Sequence, residues 1–182
     1  MVEVCVLLTE GFEEIEAVTI IDVLRRAGVS TTTLGVGGTT VRGSHGITLQ
    51  ADASLAERHD HPWDMVVLPG GMPGSARLRD DADVQSLLKT QSARGGRVAA
   101  ICAAPIALAA AGLLEARKAT CYPTFADQLA GADYQTTEVV VDGQVTTSRG
   151  VGTALPFALS LVRQLQGDAM AAELGEKMLV GA

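Results

Sequence analysis

The segment Ala100-Ile101-Cys102-Ala103-Ala104 places a cysteine at the end of a short apolar run, with small side chains two positions to either side. That spacing meets the steric need of a nucleophile elbow, where a strand turns straight into a helix and strained dihedrals leave no room for bulk. At a helix N-terminus the partial positive charge and free N–H groups favour a thiolate and lower the thiol pKa. Cys102 is therefore the expected reactive centre. A buried structural cysteine, a common fate for this residue, is the competing reading.

Two further features would converge on such a cysteine. At about 100° per residue, Glu16, Ile20, Val23 and Ala27 share one face of a helix, so a carboxylate lies in line with the buried stripe. Partly buried, it would keep its proton and donate a hydrogen bond to a thiolate or an oxidised sulfur. Glu13 and Glu14, also near the helix start, fit the plainer role of solvated carboxylates complementing the helix dipole. The turn Leu68-Pro69-Gly70-Gly71-Met72-Pro73-Gly74 follows an apolar run and could offer backbone N–H groups opposite the cysteine. Gly-rich sequence near residue 35 is followed by strand-like residues, which argues against a dinucleotide site. A Cys-His hydrolase needs a histidine base near the sulfur. His45, His59 and His61 all precede Cys102. His59 and His61 precede a strand and are expected as solvated loop residues at the opposite sheet edge. His45 falls in a predicted hairpin and reaches a site only if that hairpin folds back or meets a second subunit. Cys5, Cys102 and Cys121 have no metal-type spacing, and their odd number argues against a secreted disulfide framework. No metal and no cofactor is expected.

These residues need a scaffold that brings strand ends together. Apolar runs at residues 2–8, 31–36, 64–68 and 97–101 read as strands, with a shorter one near 117–121. Helical patterns cover 13–27, closed by Gly28, then 81–94, 103–111, 152–166 and 168–179. Hairpins are expected within the Gly-rich run 35–46 and around Asp142-Gly143. Alternating strands and helices imply an α/β fold with a parallel, doubly wound sheet, helices on both faces and appended β-hairpins, whose function gathers at the C-terminal strand ends. The length suits one domain spanning 1–182, and 47% apolar but only 3% aromatic residues suit a Val/Ile/Leu/Ala core under helices. A formal charge of −7, with basic residues scattered, argues against nucleic acid or an anionic membrane as partner. The N-terminus lacks the basic and apolar regions of a signal peptide, so a cytoplasmic location is expected. The uncharged stretch 98–114 is Ala-rich and interrupted by Pro105 and Gly112, so it reads as strand plus helix, not as a membrane span.

Taken together, Glu10-Gly11-Phe12-Glu13-Glu14-Ile15-Glu16, Leu68-Pro69-Gly70-Gly71, Ala99-Ala100-Ile101-Cys102-Ala103-Ala104-Pro105 and Thr147-Ser148-Arg149-Gly150 resemble the DJ-1/ThiJ/PfpI superfamily, most closely bacterial proteins of the DJ-1 and YajL type. The resemblance runs along almost the whole chain. It implies a flavodoxin-like fold and a homodimer, Cys102 as oxidisable nucleophile, Glu16 as its protonated partner, and Gly71 and Ala103 as backbone donors. Arg26 matches an arginine of the family's first helix, and the resemblance implies Arg26, Tyr122 and His45 as pocket residues. Tyr122, in Cys121-Tyr122-Pro123, stands where the family has a histidine, and His45 where it has an arginine. Ile15, Val18 and Ile21 give the first helix more apolar surface than one core needs, in keeping with a dimer. The expected function is action on small α-oxoaldehydes such as methylglyoxal, or on glycated-protein adducts, in a glyoxalase III or deglycase manner. A redox sensor or chaperone, in which Cys102 is oxidised to sulfenate or sulfinate, is the alternative. With no histidine after Cys102, a peptidase is disfavoured.

Overall fold

The computed structural model describes residues 2–180. In chain order the elements are β1 (Glu3–Leu8), α1 (Glu14–Arg26), β2 (Ser30–Gly35), β3 (Thr40–Arg42), β4 (Thr48–Gln50), β5 (Ala53–Ser54), α2 (Leu55–Arg58), β6 (Met65–Leu68), α3 (Gly74–Asp80), α4 (Ala82–Ala93) and β7 (Arg97–Ile101). They continue with α5 (Pro105–Ala110), β8 (Lys118–Ala119), a 3-10 turn at Pro123–Gln128, β9 (Asp133–Tyr134), β10 (Val139–Asp142), β11 (Val145–Ser148), a second 3-10 turn at Val151–Thr153, α6 (Ala154–Gln166) and α7 (Asp168–Lys177).

Seven strands form one sheet in the order β10-β11-β7-β6-β1-β2-β5, parallel throughout except for β10, which pairs antiparallel with β11. This is the flavodoxin-like α/β architecture. The central strands are apolar on both faces because each face is covered. Val4, Val6 and Leu8 of β1 pack into a core with α1, α6 and α7, whereas Cys5 and Leu7 pack into a second core with α3, α4 and α5. Period-two alternation along a strand thus feeds two cores, which is why the strand reads as a continuous apolar run. Parallel pairing places the C-terminal ends of β1, β6, β7 and β11 side by side on one sheet edge.

The anticipated hairpins are present as β3-β4 and β10-β11. Several details differ from expectation. The helix after Cys102 starts at Pro105, not at residue 103, because proline is suited to the first helical position and its own φ is already helical. The strand expected at 117–121 shrinks to β8 and pairs with β9 in a separate ribbon. Helix α3 was hidden by the Gly- and Pro-rich sequence around it. Among the described residues, no helix is long and apolar enough to cross a membrane.

Candidate active site

Cys102 immediately follows β7 and adopts φ 64°, the left-handed region that side-chain-bearing residues rarely occupy. Strain of this kind costs about 1–3 kcal/mol and persists only where its surroundings enforce it. Two main-chain bonds do so. The Cys102 N–H donates to the Ser148 carbonyl at the end of β11 (3.0 Å), and the Tyr122 N–H donates to the Cys102 carbonyl (2.8 Å). The sharp turn foreseen from the small neighbours of Cys102 is therefore present. The helix beyond it is only six residues long and begins three positions later, so its dipole is a weaker influence than expected.

Glu16 sits in the first turn of α1 and has no solvent exposure. Its Oε2 accepts the Gly70 N–H at 2.8 Å, while Oε1 has no hydrogen-bond partner among the described residues. The Cys102 side chain is the polar group beside it. Gly70 is what lets them meet. A Cβ on residue 70 would lie 2.5 Å from Cys102 Cβ and 2.6 Å from Glu16 Oε2, closer than real atoms approach. Burial pushes the Glu16 carboxyl up to about 7, against the Gly70 N–H and the Cys102 side chain, which lower it. Burial, then the neighbouring Glu16 charge, pushes the thiol up to about 12, opposed by the Ala103 and Gly71 N–H groups. This reverses the expected lowering of the thiol. Burial penalises every charge here and Glu16 opposes a second one on the sulfur, so the pair tolerates one negative charge near neutrality.

The structure brings Gly71 and Ala103 to the sulfur. Gly70, expected there too, serves Glu16 instead. Tyr122 lies at the mouth. A Cβ on Gly150 would be 3.3 Å from the Tyr122 ring and 3.9 Å from Cys102 Sγ, and Tyr122 lines a cavity of about 370 Å³ with Glu138, Arg149 and Gly150. Gly150 was foreseen only within a motif, and the anchoring role of Ser148 was not foreseen, because it is a backbone contact between neighbouring strands. Arg26 is not brought to this site. It pairs with Asp22 at 2.6 Å in the last turn of α1, about 15 Å along the axis from Glu16.

His45 is paired at the start of α1, where its Nδ1 is 3.0 Å from Glu14 Oε2. Glu13 and Glu14 are buried beneath the β3-β4 turn, which corrects the expectation of solvated carboxylates. Burial alone would raise Glu14, but hydrogen bonds from His45, from backbone at Glu14, and from the His45 and Ile47 N–H groups outweigh it and hold the carboxyl at about 2. The same contacts raise the His45 imidazole above its ordinary range. His59 and His61 precede β6 at the far sheet edge as expected, but they are partly covered. His61 pairs with Glu3 and packs its ring at a tilt against Trp63, and His59 pairs with Asp60. Cys5 is fully buried and its thiol is pushed far up by desolvation. Cys121 is buried and raised to about 11 for the same reason.

A doubly wound parallel sheet with a strained cysteine at its C-terminal edge defines an α/β protein of the flavodoxin-like class. Its sequence matches the DJ-1/PfpI family over residues 2–164, and the chain belongs to that family. Protein dj-1beta of Drosophila melanogaster is 41% identical over 180 residues, covering 96% of this chain and 95% of that one. A Caenorhabditis elegans relative named glutathione-independent glyoxalase DJR-1.2 is 37% identical over 160 residues, 87% of this chain and 85% of its own. The chain spans only 41% of the Arabidopsis thaliana relative Protein DJ-1 homolog B, at 40% identity over 98% of this chain. Among solved structures, Drosophila melanogaster DJ-1beta superposes with a TM-score of 0.96 at 39% identity, covering 100% of this chain and 99% of that one. Oxidized Toxoplasma gondii DJ-1 gives 0.96 at 38% identity, with 100% of both chains covered.

Proposed function

We propose that this protein converts small 2-oxoaldehydes, methylglyoxal being the reference substrate, into 2-hydroxyacids at Cys102, and acts on their protein adducts by the same addition. The single observation that carries this reading is the strained Cys102 set against a fully buried Glu16, whose carboxyl burial raises. The C. elegans relative named as a glutathione-independent glyoxalase supports it. In the proposed sequence the thiolate adds to the aldehyde carbon, the carbonyl electron pair moves to oxygen, and that oxygen takes the Glu16 proton. The Glu16 carboxylate then removes the proton from C1 and returns it to C2, while the C1 hydroxyl proton passes to the C2 oxygen, leaving a thioester beside a new hydroxyl. Water cleaves the thioester, its hydroxyl going to the acyl carbon and its proton to Glu16, which releases the 2-hydroxyacid and restores the thiolate and the protonated carboxyl. The sum is addition of one water, with no external oxidant. Backbone N–H groups of Gly71 and Ala103 steady the thiolate, and the cavity at Tyr122 has room for a small carbonyl compound. Lactate formation from methylglyoxal by the purified protein tests this reading; a rate equal to the buffer blank sinks it.

The oxidized state named for the Toxoplasma relative favours a second reading, in which the thiolate is oxidised by peroxide to sulfenate and then sulfinate. In this reading protonated Glu16 donates to a sulfinate oxygen, and the lack of a partner for its Oε1 among the described residues supports that role. Under graded peroxide, intact-mass and peptide spectrometry should show oxygen added at Cys102 before Cys5 or Cys121. Equal modification of all three would remove this role.

The proposed working state is a cytoplasmic homodimer. Ile15 (56% exposed) and Val18 (47%) on α1 stand near the β3-β4 hairpin, where Ile47 is also exposed and Leu49 lines a shared groove with Val18 and Ile21. A contiguous apolar face of this kind is best covered by a second copy. Light scattering should give twice the chain mass for the wild type and the single-chain mass for Val18→Asp. A monomeric wild type would rule the dimer out.

A further inference from the structure

The start of α1 and the turn between β3 and β4 together hold a group of donors that the cysteine chemistry does not use. Glu13 is the N-cap of α1 and Glu14 its first residue, and Ser44 and His45 lie across from them. His45 Nδ1 is 3.0 Å from Glu14 Oε2 and 3.6 Å from Glu13 Oε2. Ser44 Oγ is 3.0 Å from that nitrogen, 3.3 Å from Glu14 Oε2 and 3.4 Å from Glu13 Oε2. We propose that Glu13, Glu14, Ser44 and His45 form a binding site for a divalent cation of borderline softness, with Zn2+ as the reference ion.

Three physical points carry this. First, a tetrahedral ion with bonds of about 2.0–2.2 Å to nitrogen and oxygen sets its ligands about 3.3–3.6 Å apart. Three of the five separations fall in that range, and two are slightly shorter. Contacts of 3.3–3.6 Å are long for hydrogen bonds but suit the edges of a coordination polyhedron. Second, Glu13 is only 8% exposed, yet its carboxylate has no described polar contact closer than the 3.4 Å to Ser44. Its side chain is 11% exposed and its contacts to Ser44 and His45 are both long, so a cation among them would strengthen the partnering of a mostly buried carboxylate. Third, the cage is fixed by the fold. Ser44 N–H donates to the Phe12 carbonyl at 2.8 Å, tying the hairpin to the helix start. Glu14 Oε1 is held by the His45 N–H at 2.7 Å and the Ile47 N–H at 3.3 Å, which leaves Oε2 turned to the cluster. Outer hydrogen bonds of this type orient metal ligands.

The donor set decides the ion. Imidazole with two carboxylates and no thiolate suits zinc, cobalt(II) or nickel over copper(I), and the nitrogen disfavours calcium. Two carboxylates balance a 2+ charge once the imidazole proton has left for solvent. His45 and Ser44 also line a cavity of about 490 Å³, so an ion has an entry route. Histidine spacing could not reveal this group, because its ligands come from segments about thirty residues apart.

The test is calorimetric titration of the full chain with Zn2+, paired with Co2+ absorption, in wild type and in a Cys102→Ala background that removes the thiolate as a ligand. The expected result is one ion per chain in both, with the visible cobalt band of a nitrogen–oxygen site. His45→Ala should weaken binding at least tenfold and abolish that band. Ser44→Ala should weaken it less, and the double variant His59→Ala/His61→Ala should bind as the wild type does. Circular dichroism verifies that each variant is folded; His45, whose side chain is 71% exposed, is the safest to replace. Absence of saturable binding, binding unaffected by His45→Ala, or binding lost with Cys102→Ala would each overturn the proposal.

Discussion

Replacing Cys102 by serine is expected to lower lactate production from methylglyoxal by at least about a thousandfold, to the buffer rate. Serine preserves size, and the turn at φ 64° is enforced by main-chain bonds to Ser148 and Tyr122 that do not depend on the side chain. The loss should therefore be chemical and not structural, with melting temperature little changed. A hydroxyl replaces a thiol as nucleophile only when a base can take its proton. None is at hand. His45 is engaged with Glu14, while His59 and His61 lie at the far sheet edge with carboxylate partners of their own. The other thiols cannot substitute, since Cys5 and Cys121 are buried and desolvation opposes their ionisation. Residual activity above about a tenth of wild type would mean that the sulfur is not the nucleophile.

The elbow at Cys102 was legible because its cause is local: small residues at 100 and 104 permit a turn that bulk would block. Glu16 was legible for a related reason, since the helical stripe Glu16-Ile20-Val23 sets its direction whatever packs against it. What lay outside sequence reasoning is non-local. Glu13 and Glu14 look like solvated helix-start carboxylates until the turn at residues 43–47 folds over them, and no periodicity in α1 announces that cover. The thiol's electrostatics depended on a helix start, and Pro105 moved that start beyond the reach assumed for its dipole. Arg26 was placed near the site by resemblance alone, and the rise of the helix carries it to the opposite end. The parallel, doubly wound sheet followed from alternating elements, and the strand near 117–121 was read though longer than it is, whereas β9 and α3, short or masked by glycine and proline, gave no pattern long enough to read.

The second large effect concerns which atom carries the charge of the Cys102-Glu16 pair. Replacing Glu16 by glutamine preserves the acceptor for the Gly70 N–H but exchanges a carboxylic O–H donor for a weaker amide N–H. If the wild-type charge sits on sulfur, the thiolate loses stabilisation of about 1–2 kcal/mol, so Cys102 alkylation near pH 7 should slow roughly tenfold and its midpoint move to higher pH. If the charge sits on Glu16, removing it relieves the repulsion that raises the thiol, and the midpoint moves lower instead. The upward shift is expected, because two N–H groups, of Ala103 and Gly71, face the sulfur against one at Glu16. The same substitution has a stability consequence, best read with Cys102→Ala present so that only the carboxyl titrates. A folded carboxyl raised from 4.5 to about 7 stabilises the native state fully below pH 4.5, and that contribution is lost as pH rises through about 7. The loss is on the order of 3 kcal/mol for a group with no exposure. The Cys102→Ala/Glu16→Gln protein should therefore gain on Cys102→Ala in denaturant midpoint between pH 4.5 and 8, and parallel curves across that interval would contradict a raised Glu16. Both measurements bear on one physical trade: the fold carries a desolvated carboxyl at a cost in neutral-pH stability, and the proton it retains is what the proposed chemistry draws on.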